Sequence, residues 1–182
     1  NLGRRQITVS TCGLLDGMRR FMEDLPQANL SLSLHAPNDR IRRRIMPSAA
    51  RCGVDELIGF AREYYERTGR RFSFEYALFA GVNDDIMNAE ELADKLTAAA
   101  GASGSGAPGF HVNLIPANPV SGLGFEDPAG GGFREFKAPT KERVASFAET
   151  LARRGIRVTT RRELGSDIAA ACGQLRSERM HT

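Results

Sequence analysis

Cysteine is scarce in this chain. Three in 182 residues (Cys12, Cys52 and Cys172) are an odd number, and none stands in Cys-x-x-Cys spacing. That argues against a secreted disulfide framework and against a complete metal site within these residues, and makes a reducing cytoplasm the default compartment. Long apolar runs are missing as well. None would cross a membrane, and no succession of charged, apolar and small residues marks a signal peptide. An initiator methionine is also lacking. Asn1-Leu2-Gly3-Arg4-Arg5 leads within a few residues into a strand, so we expect a piece of a longer protein. Strong net charge is absent too, the formal balance being +3.

What remains is the composition of an ordinary folded domain. The chain is 41% hydrophobic and has the length of one domain with a sizeable core. Basic residues cluster at Arg42-Arg43-Arg44, Arg70-Arg71, Arg153-Arg154 and Arg161-Arg162. Such clusters suit a phosphate backbone, and equally a solvated helix face.

Periodicity orders the chain. Arg5 to Ser10 is β-branched and reads as a strand, and Leu14 to Pro26 as a helix with apolar residues at helical spacing. Leu30 to Leu34 is a second strand. Asn38 or Asp39 caps a short basic helix ending near Met46, and Asp55 starts the next, with Leu57, Ile58, Phe60, Ala61, Tyr64 and Tyr65 as its apolar side. Phe72 to Phe79, Val112 to Ile115 and Ile156 to Thr160 complete five strands, with helices at Glu90 to Ala100 and Thr140 to Arg154. Gly-rich stretches at 101–109 and 121–137 read as loops. Strand and helix alternating five times predict an α/β fold with a parallel sheet, whose ligands bind beyond the carboxyl ends of the strands. Five strands do not close a barrel of the usual eight, so the barrel is partial, or strands precede Asn1.

The segment 161–176 stands out. After the last strand, Gly165 allows a tight turn, Ser166 or Asp167 can cap a short helix, and three alanines lead to Cys172 beside Gly173. A thiol next to a residue with no side chain can be approached closely; a small buried cysteine at a helix end is the plain alternative. Glu75, between Phe74 and Tyr76, is expected inside the barrel, paired with a cation or hydrogen-bonded, or touching ligand. Cys12 reads as a small turn residue.

Ile-Thr-Val-Ser-Thr at 7–11, Ser-Leu-His-Ala-Pro-Asn-Asp at 33–39, Asn-Leu-Ile-Pro-x-Asn-Pro at 113–119 and Gly-Ser-Asp-Ile-x-Ala-Ala-Cys-Gly-Gln-Leu at 165–175 occur together. In that order and spacing the chain resembles the C-terminal part of the RlmN/Cfr-type radical S-adenosylmethionine (SAM) RNA methyltransferases. The resemblance implies a partial (β/α) barrel of radical SAM type, here without its N-terminal strands. It implies methylation of carbon 2 of an adenine in 23S rRNA, and of an adenine in tRNA. That carbon is electron-poor, and the family reaches it by placing a methyl group on a cysteine and activating that methyl by a radical from a second SAM, cleaved at a [4Fe–4S] cluster. Residue by residue, the resemblance makes Cys172 the methyl carrier and Ser10, Ser33, Leu34, His35 and Asn118 the SAM-binding positions. It further implies an electron donor of flavodoxin type and a cytoplasmic monomer.

The cluster motif Cys-x-x-x-Cys-x-x-Cys, the second cysteine and the upstream Gly-Glu segment of the family are not in this sequence and are expected before Asn1. Both Gly-rich loops are longer than the family pattern needs. Two other readings stand beside the resemblance: a half-barrel that binds RNA without chemistry, and an unrelated thiol enzyme with Cys172 as nucleophile and His35 as base.

Overall fold

A computed structural model describes residues 3–49, 51–101, 109–118, 122–127 and 131–161. The segment 162–182, with Cys172, lies outside the described residues.

The strands Thr8–Thr11 (β1), Asn29–Ser33 (β2), Phe72–Leu78 (β3), Phe110–Pro116 (β4) and Arg157–Thr160 (β7) form one five-stranded sheet in the order β1-β2-β3-β4-β7. Every neighbouring pair is parallel. Parallel neighbours need crossovers, and helices supply them: Leu15–Asp24 (α1), Asp39–Ile45 (α2), Val54–Thr68 (α3), Ile86–Ala100 (α4) and Lys141–Arg153 (α5). The fold is therefore the expected α/β one, an open parallel sheet with edges at β1 and β7.

The residue pattern of β3 shows why the sheet has two unlike faces. Phe72, Phe74, Tyr76 and Leu78 are fully buried, while Ser73, Glu75 and Ala77 between them are only half-buried. Leu32, Val112 and Leu114 join the buried row. Against it pack Met18 and Met22 of α1, Leu57, Phe60 and Tyr64 of α3, Leu92 and Leu96 of α4, and Phe147 and Leu151 of α5. Burial of each such side chain stabilises by roughly 1.5–3 kcal/mol. Phe72 meets Phe60 and Tyr64 edge-on, and Phe74 meets Phe110 likewise. The Tyr64 hydroxyl is not wasted in this core; it donates to the Ala28 carbonyl at 2.7 Å.

Local chemistry sets the helix starts. The Asn38 side chain accepts from the Ile41 N–H, Asp85 from Asn88 and Thr140 from Arg143. Because Asp85 caps α4, that helix begins at Ile86, a full turn before the expected Glu90. Helix α3 begins at Val54 with Gly53 as its cap, and Asp55 sits in its first turn. At the start of the chain, Arg4–Gln6 is a turn of 3-10 helix, so the strand begins at Thr8 and not at Arg5. The stretch 121–137 is more than a loop. It holds an antiparallel hairpin, Gly124–Asp127 (β5) paired with Gly132–Glu135 (β6).

Candidate active site at the carboxyl rim of the sheet

The face of the sheet away from the core row carries polar side chains. Register places Ser10, Ser31, Ser73, His111 and Arg157 in one row across the strands. Two residues further along, Ser33, Glu75, Asn113 and Thr159 form the next. These rows are knitted together. The Ser31 hydroxyl donates to Glu75 Oε1 at 2.8 Å, and the Asn113 amide donates to Glu75 Oε2 at 2.7 Å. The Thr159 hydroxyl donates to Asn113 Oδ1 at 3.1 Å and lies 3.0 Å from His111 Nε2. Glu75 is thus hydrogen-bonded, one of the outcomes expected of it, and both donors are neutral.

His35 occupies the turn after β2 with φ of 57°, a left-handed conformation uncommon for a residue with a side chain. Three contacts hold it there. Its N–H donates to the Glu75 carbonyl at 3.2 Å, its carbonyl accepts from the Asn83 amide at 2.8 Å, and its Nδ1 accepts from the Ala77 N–H at 2.9 Å. The last bond decides the tautomer: Nδ1 carries a lone pair, so the proton sits on Nε2. Burial, helped by the nearby Arg42 cation, lowers the His35 pKa to about 4. At neutral pH the ring is uncharged and offers an N–H donor from Nε2.

Arg42 gives this rim its frame. It belongs to the Arg42-Arg43-Arg44 cluster read as a phosphate-binding or solvated surface, but its side chain is fully buried. The guanidinium donates to the Cys12 carbonyl at 2.7 Å, the Ser33 carbonyl at 3.2 Å and the Ala49 carbonyl at 3.4 Å. It therefore ties the exit of β1 to the exit of β2. Burial lowers its pKa, opposed by the neighbouring Cys12, Asp39 and Cys52. Asn83 does similar work on the next loop. Its side chain donates to the carbonyls of His35 and Ala77 and accepts from the Phe79 N–H. Neither role was legible in the sequence. Arg42 sat in a charge run, and nothing near Asn83 in the sequence marks its partners.

The site residues expected from the sequence divide as follows. Ser10 is exposed near the end of β1. Ser33 is half-buried at the end of β2. Leu34 is fully buried in the core, and its N–H donates to the Glu75 carbonyl at 3.0 Å, so only its main chain can face a ligand. Asn118 is exposed just beyond β4. Ser10, Ser33, His35 and Asn118 thus all lie at carboxyl ends of parallel strands, where such sheets bind ligands. Their hydroxyl, imidazole N–H and amide groups can hold a polar ligand by neutral hydrogen bonds. Cys172 lies outside the described residues. Among the described residues no group of three or more His, Cys, Asp or Glu side chains could hold a metal ion, so these residues do not furnish an iron–sulfur site.

Fold and rim together define a partial barrel of radical SAM type. A radical SAM methyltransferase from Sphaerobacter thermophilus matches it with a TM-score of 0.77 and 44% identity, covering 94% of this chain and 45% of that one. A domain of a pyruvate-formate lyase-activating enzyme from Bacteroides vulgatus shares the fold alone, with a TM-score of 0.60 at 16% identity over 85% of this chain and 80% of the other. No family model matches the chain. Among curated relatives, a probable dual-specificity RNA methyltransferase RlmN from Caldicellulosiruptor saccharolyticus is 46% identical over 97% of this chain. A ribosomal RNA large subunit methyltransferase N from Nitrosopumilus maritimus is 41% identical over 97%. The chain belongs with the RlmN-type family, and it spans about half the length of these relatives, 46% and 44% respectively.

Proposed function

We propose that this chain forms the SAM-binding rim and carries the methyl-accepting thiol of an RNA methyltransferase. Its target is carbon 2 of adenine in 23S rRNA and in tRNA. The observation that supports this best is His35. A neutral imidazole, fixed in a left-handed turn with its proton on Nε2, shares one rim with Ser10, Ser33 and Asn118. A sulfonium ligand is repelled by a cation and tolerated by a neutral donor. Bound SAM supplies the methyl group. In this chain Ser10, Ser33 and Asn118 orient its polar ends, and Cys172 accepts the methyl. The second cysteine, the cluster ligands and a flavodoxin-type electron donor belong to the rest of the cycle, which proceeds in a cytoplasmic monomer.

The thiol-enzyme alternative asks His35 to be a base. Its free lone pair is already occupied by the Ala77 N–H, and its other nitrogen is protonated, so it is a poor one. A non-catalytic RNA-binding half-barrel remains the second reading, consistent with the basic clusters; the described helices include none long and apolar enough to cross a membrane.

The test is mass spectrometry of the full-length protein produced with SAM. A methyl group on the peptide containing Cys172, absent in Cys172→Ala together with 2-methyladenine in the RNA, is the expected result. An unmodified Cys172 peptide with RNA binding intact would favour the non-catalytic module.

A further inference from the structure

Glu75 is the one acidic side chain in the two rows that cross the polar face of the sheet. Its neighbours hold it without balancing it. Ser31 donates to one carboxyl oxygen and Asn113 to the other. A Glu side chain can accept about four such bonds, so part of its capacity stays open. Among the described residues no lysine or arginine forms an ion pair with it. The cations of the outer helices pair elsewhere: Arg62 with Glu66, Arg67 with Glu63, Lys95 with Asp55 and Arg154 with Asp94. His111, in the adjoining row, is near enough to feel Glu75 electrostatically. Burial first, then Arg71 and Arg157, lowers its pKa against that pull, so at neutral pH its ring adds no cation. An acid drawn partly out of water is stabilised by an opposite charge, and this one finds none in an ion pair here.

Its place is the rim. Register sets Glu75 directly across from Ser33, one of the residues expected to meet SAM. The Glu75 carbonyl accepts from the Leu34 and His35 N–H groups at 3.0 and 3.2 Å. The same residue therefore fixes the turn that carries His35 and presents its carboxyl group in the row of Ser33. It is only half-buried, on the side of β3 away from the core. The donor set fits a cationic ligand that also carries hydroxyl groups, and SAM is one: its sulfonium makes the molecule positive overall. We infer that Glu75 is the counter-charge for the sulfonium of SAM, and that it makes this rim prefer SAM to S-adenosylhomocysteine, whose sulfur is neutral. The attraction ends once the methyl group is given up, which favours exchange of spent for fresh SAM. The inference rests on the methyltransferase reading.

The experiment is equilibrium binding of SAM and of S-adenosylhomocysteine to the full-length holoprotein, kept anaerobic. The unaltered protein should bind SAM the more tightly. Glu75→Gln keeps the shape and removes the charge; it should weaken SAM roughly tenfold and leave S-adenosylhomocysteine within about twofold. Glu75→Asp keeps the charge and should keep the preference. An equal loss for both ligands in Glu75→Gln would make the residue a support for Ser31 and Asn113 only, and overturns the inference. So does unchanged SAM affinity, an unaltered protein without preference, or a Glu75→Asp protein that loses the preference as fully as Glu75→Gln. If the unaltered protein binds neither ligand, the methyltransferase reading falls as well. If it binds SAM and methylates Cys172 while Glu75→Gln keeps the preference, the role of Glu75 alone falls.

Discussion

At the scale of single residues, the rim works through buried groups that hold carbonyls. Arg42 and Asn83 are fully buried and fix the main chain from which Ser33 and His35 project. His35 carries the clearest consequence. Its pKa falls from 6.5 unfolded to about 4 folded. Above pH 6.5 both states are neutral there and the group has no effect. As pH falls below 6.5 the unfolded chain takes up a proton that the folded chain refuses, so stability is lost progressively until about pH 4. At about 1.36 kcal/mol per pH unit, a gap of roughly 2.5 gives a loss of about 3 kcal/mol. Asn tolerates a left-handed backbone, so His35→Asn separates the ring from the turn. Urea unfolding between pH 7 and 4.5 should show a shallower decline for this variant than for the unaltered protein. Equal slopes would mean that the ring titrates normally.

At the scale of elements, the hairpin is the part with a single steric condition. A β-carbon on Gly124 would lie 1.9 Å from the Arg134 carbonyl oxygen, a backbone atom that cannot yield without opening the β5–β6 ladder. Gly124→Ala is therefore expected to release the hairpin. Amide exchange at Ala80 and Phe136 should accelerate, while the melting of the main sheet moves by no more than about 0.5 kcal/mol. A unified loss of both would show that the hairpin is part of the core. The elements themselves were largely readable in advance. Strands and helices announce themselves through period and caps, as at Asn38 and Thr140, and these are local properties. The hairpin was not, because its short strands are rich in glycine and its pairing joins residues on either side of a turn without apolar alternation.

For the whole molecule, stability is concentrated at the centre of the sheet. β3 and β4 pair over seven positions and are flanked by strands on both sides, whereas β1 and β7 are edges with four-residue ladders. Native-state hydrogen exchange should find the slowest amides in β3 and β4; protection that peaked in the hairpin strands β5 and β6 would contradict this topology. The sequence by itself determined the order of the main-sheet strands and their helices, the parallel class of the sheet and the motifs that ally the chain with RlmN-type proteins, since these depend on neighbours within a few residues. Only the tertiary structure decided that Arg42 is an internal clamp, that Glu75 is held by Ser31 and Asn113, and that His35 keeps its proton on Nε2. Each of those outcomes depends on which distant carbonyl, hydroxyl or N–H the packing brings to about 3 Å, and no local pattern encodes that distance.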